Sequence, residues 1–401
     1  VNQARGRDEA QATRDEGGAP ATGPRERTPV DGPGRLAIGP INNAGQVDAW
    51  ARAVAAYTPH EAFSFAFAPV PGRRPPTLFP ASRRLPHHRL TPDPVKRFLV
   101  RRMLRGSTHV AIDSFAALHH RLDASHVGVE LPRLREDLPE ASFALIAHGS
   151  DVRDPRQHVE RLPESYYRLD AAWSEELGAV AARNRRTAQE AGVPVFVSTP
   201  DLLLEDMPST WLPVVVDVER FAGEAPPFAT PEARRRPRVL HLPSRRVPPI
   251  KGTDLVDPVL RRLAEAGRVE YVSPAGVAPE EVPALVRSCD VVVEQVRSGY
   301  YGANAVEGLA AGRVVVGSLA DDVAALMPEA PPMMRVAHDG FAHTMDALLA
   351  DLDAAAGLAA QGPDFATRWH DGRASAGVLA SWLWKGVPDG PGPPWPCQSE
   401  P

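Results

Sequence analysis

Short apolar runs alternate with amphipathic stretches through most of this chain. Leu36–Ile38, Phe63–Phe67, Val110–Ile112, Phe143–Ile146, Val195–Val197 and Leu212–Val216 have the length and composition of buried strands. Between them, 45–57, 95–105 and 173–190 read as helices. A Pro-, Ala- and Arg-rich interval at 218–237 breaks the rhythm, which restarts at Val239–Leu242, Val269–Val272, Val291–Val293 and Val314–Val316. Helices are expected there near 253–266, 279–287, 303–311 and 341–358. Strands separated by helices need crossover connections, and crossovers make parallel sheets. The pattern predicts two doubly wound α/β domains, 35–217 and 238–385, joined by a linker over 218–237.

The ends read differently. Residues 1–34 and 386–401 are rich in charge, Gly and Pro with few large apolar side chains, so too little surface can be buried to offset the entropy of ordering. Both are expected to be disordered tails. A chain of 401 residues with a formal net charge of -5 fits two cores and disfavours a general nucleic-acid binder. Cys289 and Cys397 are far apart and unlike a metal-ligand pair, which argues against a disulfide framework or a zinc site. No apolar run reaches the roughly 18 to 20 residues that span a bilayer, and the first residues do not resemble a signal sequence. The expectation is a soluble, cytoplasmic protein.

Open parallel sheets bind ligands beyond the carboxyl ends of their strands. The most informative stretch is Cys289 to Gly317, CDVVVEQVRSGYYGANAVEGLAAGRVVVG, in which an apolar strand leads through a Gly- and Tyr-bearing loop into a short helix. The unpaired N–H groups at such a helix start suit a phosphate, and Glu307, about a turn further in, can accept from ribose hydroxyls. After the strand at Val239 come Ser244, Arg245, Arg246 and Lys251, cations for a diphosphate. In the first half, Asn43, Gly45 and Gln46 form a small-residue loop where a phosphate or an acceptor can approach the backbone. His148, Asp151 and Arg153 crowd the end of another strand; there Asp151 either caps the following segment and pairs with Arg153 or joins His148 in a site. The glycine spacing does not fit a dinucleotide fingerprint, so hydride transfer is a poor fit.

The motifs HLPSRR-x4-KGTD, CDVVVEQ, GYYG-x4-EGLAAG and VVVG, with GPINNAGQ, HGSDVR and LPVVVD in the first half, resemble the GT-B glycosyltransferases of the retaining, group 1, family-4-like type over roughly residues 35 to 385. The resemblance implies two Rossmann-like domains facing across a cleft, an acceptor bound mainly by the first and a nucleotide-sugar by the second. It implies Glu307 on the ribose, Arg245 or Arg246 and Lys251 on the diphosphate, the amides of Gly302, Ala303 and Asn304 beneath it, and His148 near the donor sugar. The family's second acid, eight residues before the ribose acid, falls at Gly299. Tyr301 and Tyr300, like Tyr166 and Tyr167, either line a sugar or base pocket or pack in the core.

The chemistry implied by this resemblance is a sugar transfer that needs neither metal nor cofactor, the nucleotide-sugar being a substrate. The leaving diphosphate is stabilised by Arg245, Arg246, Lys251 and the helix start. If the reaction inverts instead, Asp151 and His148 are the candidate bases. Asp321 and Asp322 open a later helix, where they read as caps and not as a metal pair. An epimerase-like enzyme or a degenerate sugar-nucleotide-binding protein would use the same cleft. From Arg73 to Arg105, ten Lys or Arg residues face the single acid Asp93. This stretch fits a peripheral contact with the membrane inner face, or an ordinary helix packing Phe98, Leu99 and Met103 on the sheet.

Overall fold

In the computed structural model, which describes residues 32–69, 79–86, 93–119, 126–243, 247–336 and 340–385, the apolar runs become two parallel sheets. The first half runs β1 (Arg35–Gly39), α1 (Gln46–Tyr57), β2 (Glu61–Phe67), β3 (Arg83–Leu85), α2 (Asp93–Leu104), β4 (His109–Asp113), α3 (Val127–Asp137), β5 (Ser142–Ala147), α4 (Pro155–Arg161), α5 (Ala171–Glu190), β6 (Val195–Val197) and β7 (Thr210–Trp211). Two short helices, α6 (Val218–Phe221) and α7 (Pro231–Arg235), occupy the expected linker. The second half runs β8 (Arg238–His241), α8 (Thr253–Glu265), β9 (Glu270–Val272), α9 (Val282–Arg287), β10 (Val291–Val293), α10 (Ala303–Ala310), β11 (Val314–Gly317), α11 (Asp321–Ala324), β12 (Met334–Arg335), α12 (Phe341–Ala350), α13 (Leu352–Ala359), α14 (Gly362–His370) and α15 (Arg373–Lys385).

The sheet orders are β3-β2-β1-β4-β5-β6-β7 and β12-β11-β10-β8-β9. Neighbouring strands pair in parallel, as β1 does with β4 and β8 with β10. Alternate side chains face opposite layers. Leu36 and Ile38 point toward Trp50 of α1 and Trp382 of α15, whereas Ala37 joins the other face with Val110 and Phe143. In the second sheet Val292 and Val315 meet Val306 and Leu309 of α10, while Val291 and Val316 meet Leu260 of α8. Covering on both faces explains why these strands read as continuous apolar runs.

Two expectations are corrected by the fold. Leu212–Val216 is not a strand beyond β7. Its backbone is held by side chains: Gln46 Nε2 donates to the Val215 carbonyl (3.0 Å) and Gln46 Oε1 accepts from the Val215 N–H (2.7 Å). Trp50 Nε1 and Ser375 Oγ both donate to the Pro213 carbonyl (2.8 and 2.7 Å). An apolar run satisfied in this way carries the chain between the sheets. The expected helix at 341–358 is two helices, because the Asp351 carboxylate accepts from Ala354 N–H (2.9 Å) and starts α13. Strand β3, RRL, contributes one buried apolar residue and so left no periodic signal.

Among the described residues no helix is long and apolar enough to cross a membrane. The tail residues 1–31 and 386–401 lie outside the described residues, as do 70–78 and 87–92 of the basic stretch.

Candidate active site

The carboxyl ends of β1, β4 and β5, adjacent in the first sheet, form one wall. His148 follows β5. Its Nε2 is hydrogen-bonded to Asp113, the last residue of β4, its Nδ1 lies 3.2 Å from Ser198 Oγ, and its ring stacks on Trp50 with centroids 5.7 Å apart. Burial disfavours the charged imidazole, but the Asp113 carboxylate and hydrogen bond, with Asp151 adding to them, raise His148 above the ordinary histidine value. Asp113 also accepts from the Asn42 N–H at 2.8 Å, and Asn43 Nδ2 donates to Ser114 Oγ at 3.0 Å.

The local turn uses Asp151 itself. Its carboxylate accepts from the N–H of His148 (3.0 Å) and of Gly149 (2.7 Å), so it caps the turn before it and not the following segment, where Asp154 caps α4, and it is not a free base. Arg153 does not pair with Asp151. It is 1 % exposed; its Nε donates to Asp201 (2.6 Å), its Nη1 to Tyr166 Oη (2.9 Å), and its guanidinium lies 4.3 Å from the Tyr300 ring centroid.

The other wall comes from the second sheet. Gly252, at φ +83°, starts α8 where a Cβ would fall 2.2 Å from a Val296 methyl, so only glycine lets this loop close on the end of β10. Lys251, next to it, donates to Glu294 Oε1 at 3.3 Å. Helix α10 begins after Gly302 with no side-chain cap on its first N–H groups; the Ala305 N–H donates to the Gly302 carbonyl (3.0 Å), which leaves the amides of Ala303 and Asn304 open. Asn304 Nδ2 donates to the Leu242 carbonyl (3.2 Å). Burial pushes the partly covered Glu307 carboxyl up to about 7; Lys251 opposes this and Glu294 adds to it. Ser244, Arg245 and Arg246 lie outside the described residues.

A cleft of about 540 Å³ opens between the walls, lined by Asn43, Ser114, His148, Asp151, Arg153 and Trp173 on one side and Ile250, Gln295, Ser298 and Tyr300 on the other. Of the expected site residues, Asn43, His148, Asp151 and Arg153 line this cleft; Lys251, Glu307 and the start of α10 sit beside it without lining it, and four others are turned away. Gln46 anchors Val215. A Cβ on Gly45 would press on Phe79. Tyr301 is buried with its hydroxyl 3.1 Å from His370 Nε2, so of the two tyrosines Tyr300 is the one in the cleft. Gly299, at φ +69°, would point a Cβ at Leu162 and Ala320, into the seam between the two halves.

That seam is well tied. His158 Nε2 donates to the Ser298 carbonyl (3.0 Å) and Arg297 Nη1 to the Glu164 carbonyl (3.0 Å). Asp113 and Gln295 were missed in the sequence. Both sit at strand ends, Asp113 as the final strand residue and Gln295 two positions beyond β10, so the strand-end rule applied one residue more widely finds them.

Two doubly wound, Rossmann-like domains whose strand ends face each other across a cleft define the GT-B fold of glycosyltransferases, and the chain has that fold. Sucrose-phosphate synthase from Thermosynechococcus elongatus matches with a TM-score of 0.55 at 14% identity, covering 88% of this chain and 100% of that one. Anabaena HepE, solved in complex with UDP and glucose, matches at 0.53 and 12% identity, covering 88% of this chain and 99% of that one. The N-terminal domain of Candida albicans trehalose-6-phosphate phosphatase matches at 0.52 and 10% identity, covering 90% and 98%. At these identities the likeness is one of fold. No protein-family model matches the chain, and no curated protein sequence does.

Proposed function

We propose that the protein is a glycosyltransferase of the hexosyl type that moves a sugar from a nucleotide-diphosphate-sugar to a glycan, glycolipid or small-molecule acceptor, with retention and without metal. The observation that carries this reading is the two-walled cleft, with His148 on one side and the Lys251, Glu307 and α10 cluster beside the other. Glu307 would accept from the ribose hydroxyls. Lys251 and the first-turn amides of α10 would hold the diphosphate as charge develops on it, and Arg245 and Arg246 belong to the same role. HepE was solved with UDP, which makes UDP-sugars the first donors to try.

The retaining route is favoured because both named bases are engaged. Asp151 caps a turn, and both His148 ring nitrogens have protein partners. The acceptor would then attack from the leaving-group face and pass its proton to the diphosphate. The same reading has the protein working at the cytoplasmic face of a membrane, touching it through the basic stretch around α2.

Thermal stability against a panel of nucleoside diphosphates, in wild type and Glu307→Ala, tests the donor half. Ligand at about 100 times its dissociation constant adds roughly 2.7 kcal/mol. Stabilisation by one diphosphate, lost in the variant, is expected. No stabilisation by any of them, in a folded sample, would leave a degenerate scaffold as the better description.

A further inference from the structure

The sugar-transfer reading makes no use of Asp113, yet this side chain is completely buried at the end of β4. One of its oxygens accepts from the Asn42 N–H at 2.8 Å, in the turn after β1. The other meets His148 Nε2, after β5, and accepts from Ser114 Oγ at 3.2 Å, after β4. A single carboxylate therefore ties the loops at three adjacent strand ends. Its partners also satisfy a charge whose burial would otherwise be very unfavourable.

The groups around His148 come from every element packed on it. Asp113 faces Nε2, Ser198 beyond β6 faces Nδ1, and Trp50 of α1 covers one ring face. Asp151 lies under its backbone N–H. Arg153 is the nearest cation of that turn; its Nη1 is 3.0 Å from where a Gly149 Cβ would be.

We infer that Asp113 is a positioning residue that fixes the His148 ring and the Asn42–Asn43 turn as one unit, so that the acceptor-side wall is set before any substrate enters. Donation from Nε2 to Asp113 keeps a proton on that nitrogen. It leaves Nδ1 as the acceptor of the Ser198 hydroxyl. What is positioned rests on the transferase reading; the positioning itself does not.

Nitrogen-15 NMR of the histidine rings in the full chain, with His148 assigned by the signal lost in His148→Ala, tests this directly. In wild type the neutral ring is expected to carry its proton on Nε2; a ring protonated on Nδ1 overturns the inference without any variant. In Asp113→Asn, which keeps the shape but replaces one acceptor oxygen by a donor, the His148 midpoint is expected to fall by roughly one pH unit or more. The kcat should fall by up to about 100-fold, with nucleoside diphosphate affinity within about twofold of wild type because that site is on the other wall. An unchanged midpoint and kcat would overturn the inference. If wild type neither binds a nucleoside diphosphate nor transfers a sugar, the transferase reading falls, and the NMR result still decides whether Asp113 holds the ring.

Discussion

Glu307 shows how burial sets the charge of one side chain. Burial pushes its carboxyl up to about 7, so the folded protein holds this proton more tightly than the unfolded chain, whose glutamates titrate near roughly 4.3. Stability from this group is therefore fully present below the unfolded value and declines as pH rises toward 7. Glu307→Gln is expected to lose less stability than wild type between about pH 4.5 and 7, read as the change in Tm across that window. Equal slopes in the two proteins would mean that the carboxyl is not covered as described. The place of His148 directly after a strand was legible in the sequence, because a strand end followed by polar residues is a local pattern. What the side chains touch at a distance was not: Gln46 holds Val215 and Tyr301 meets His370, partners that only folding brings near.

At the scale of single elements, α2 carries features of both readings of the basic stretch. Lys96, Val100 and Leu104 are buried, a spacing of four that places one stripe on the sheet. Phe98 falls about half a turn away and is 62% exposed, with Val95 at 48%. Only Leu99 and Met103 of the three expected apolar contacts pack on the core. Arg101 and Arg102 are exposed on the same helix, and Arg97 forks onto Asp137 at 2.8 Å. The proposed membrane contact predicts salt-sensitive sedimentation with vesicles containing anionic lipid. Phe98→Asp should weaken it about tenfold, the equivalent of roughly 1.4 kcal/mol of lost apolar burial. Equal sedimentation with neutral and anionic vesicles, or none with either, would remove this contact from the reading. The phase of the helix was the uncertain part of the sequence pattern, since a buried lysine looks polar; here the Lys96 ammonium sits 4.9 Å from the Phe67 ring centroid.

Across the whole molecule, the last described helix returns to the first sheet. Trp382 of α15 is completely buried against His109 and Phe196, with ring centroids 4.7 and 5.8 Å away. Trp382→Ala is expected to cost about 3–5 kcal/mol. Hydrogen exchange should place the loss in β1 and β4 while β10 and β11 keep their protection; a loss centred on the second sheet would contradict this packing. The seam adds its own pH dependence. Burial, assisted by Arg153, pushes His158 down to about 4, so its neutral ring and its bond to Ser298 contribute stability above the ordinary histidine value that is lost as pH falls toward 4. Strand composition, helix spacing and the turn into α10 are written in contiguous residues, because backbone preference and one-sided burial act over a few positions. They were enough for two doubly wound sheets and for the helix that starts after Gly302. The joining of Asp113 to His148, the turning of Gly299 into the seam and the return of α15 to the first sheet pair residues far apart in the chain. Burial and hydrogen-bond satisfaction across the folded molecule select such pairs, and a local pattern carries no record of them.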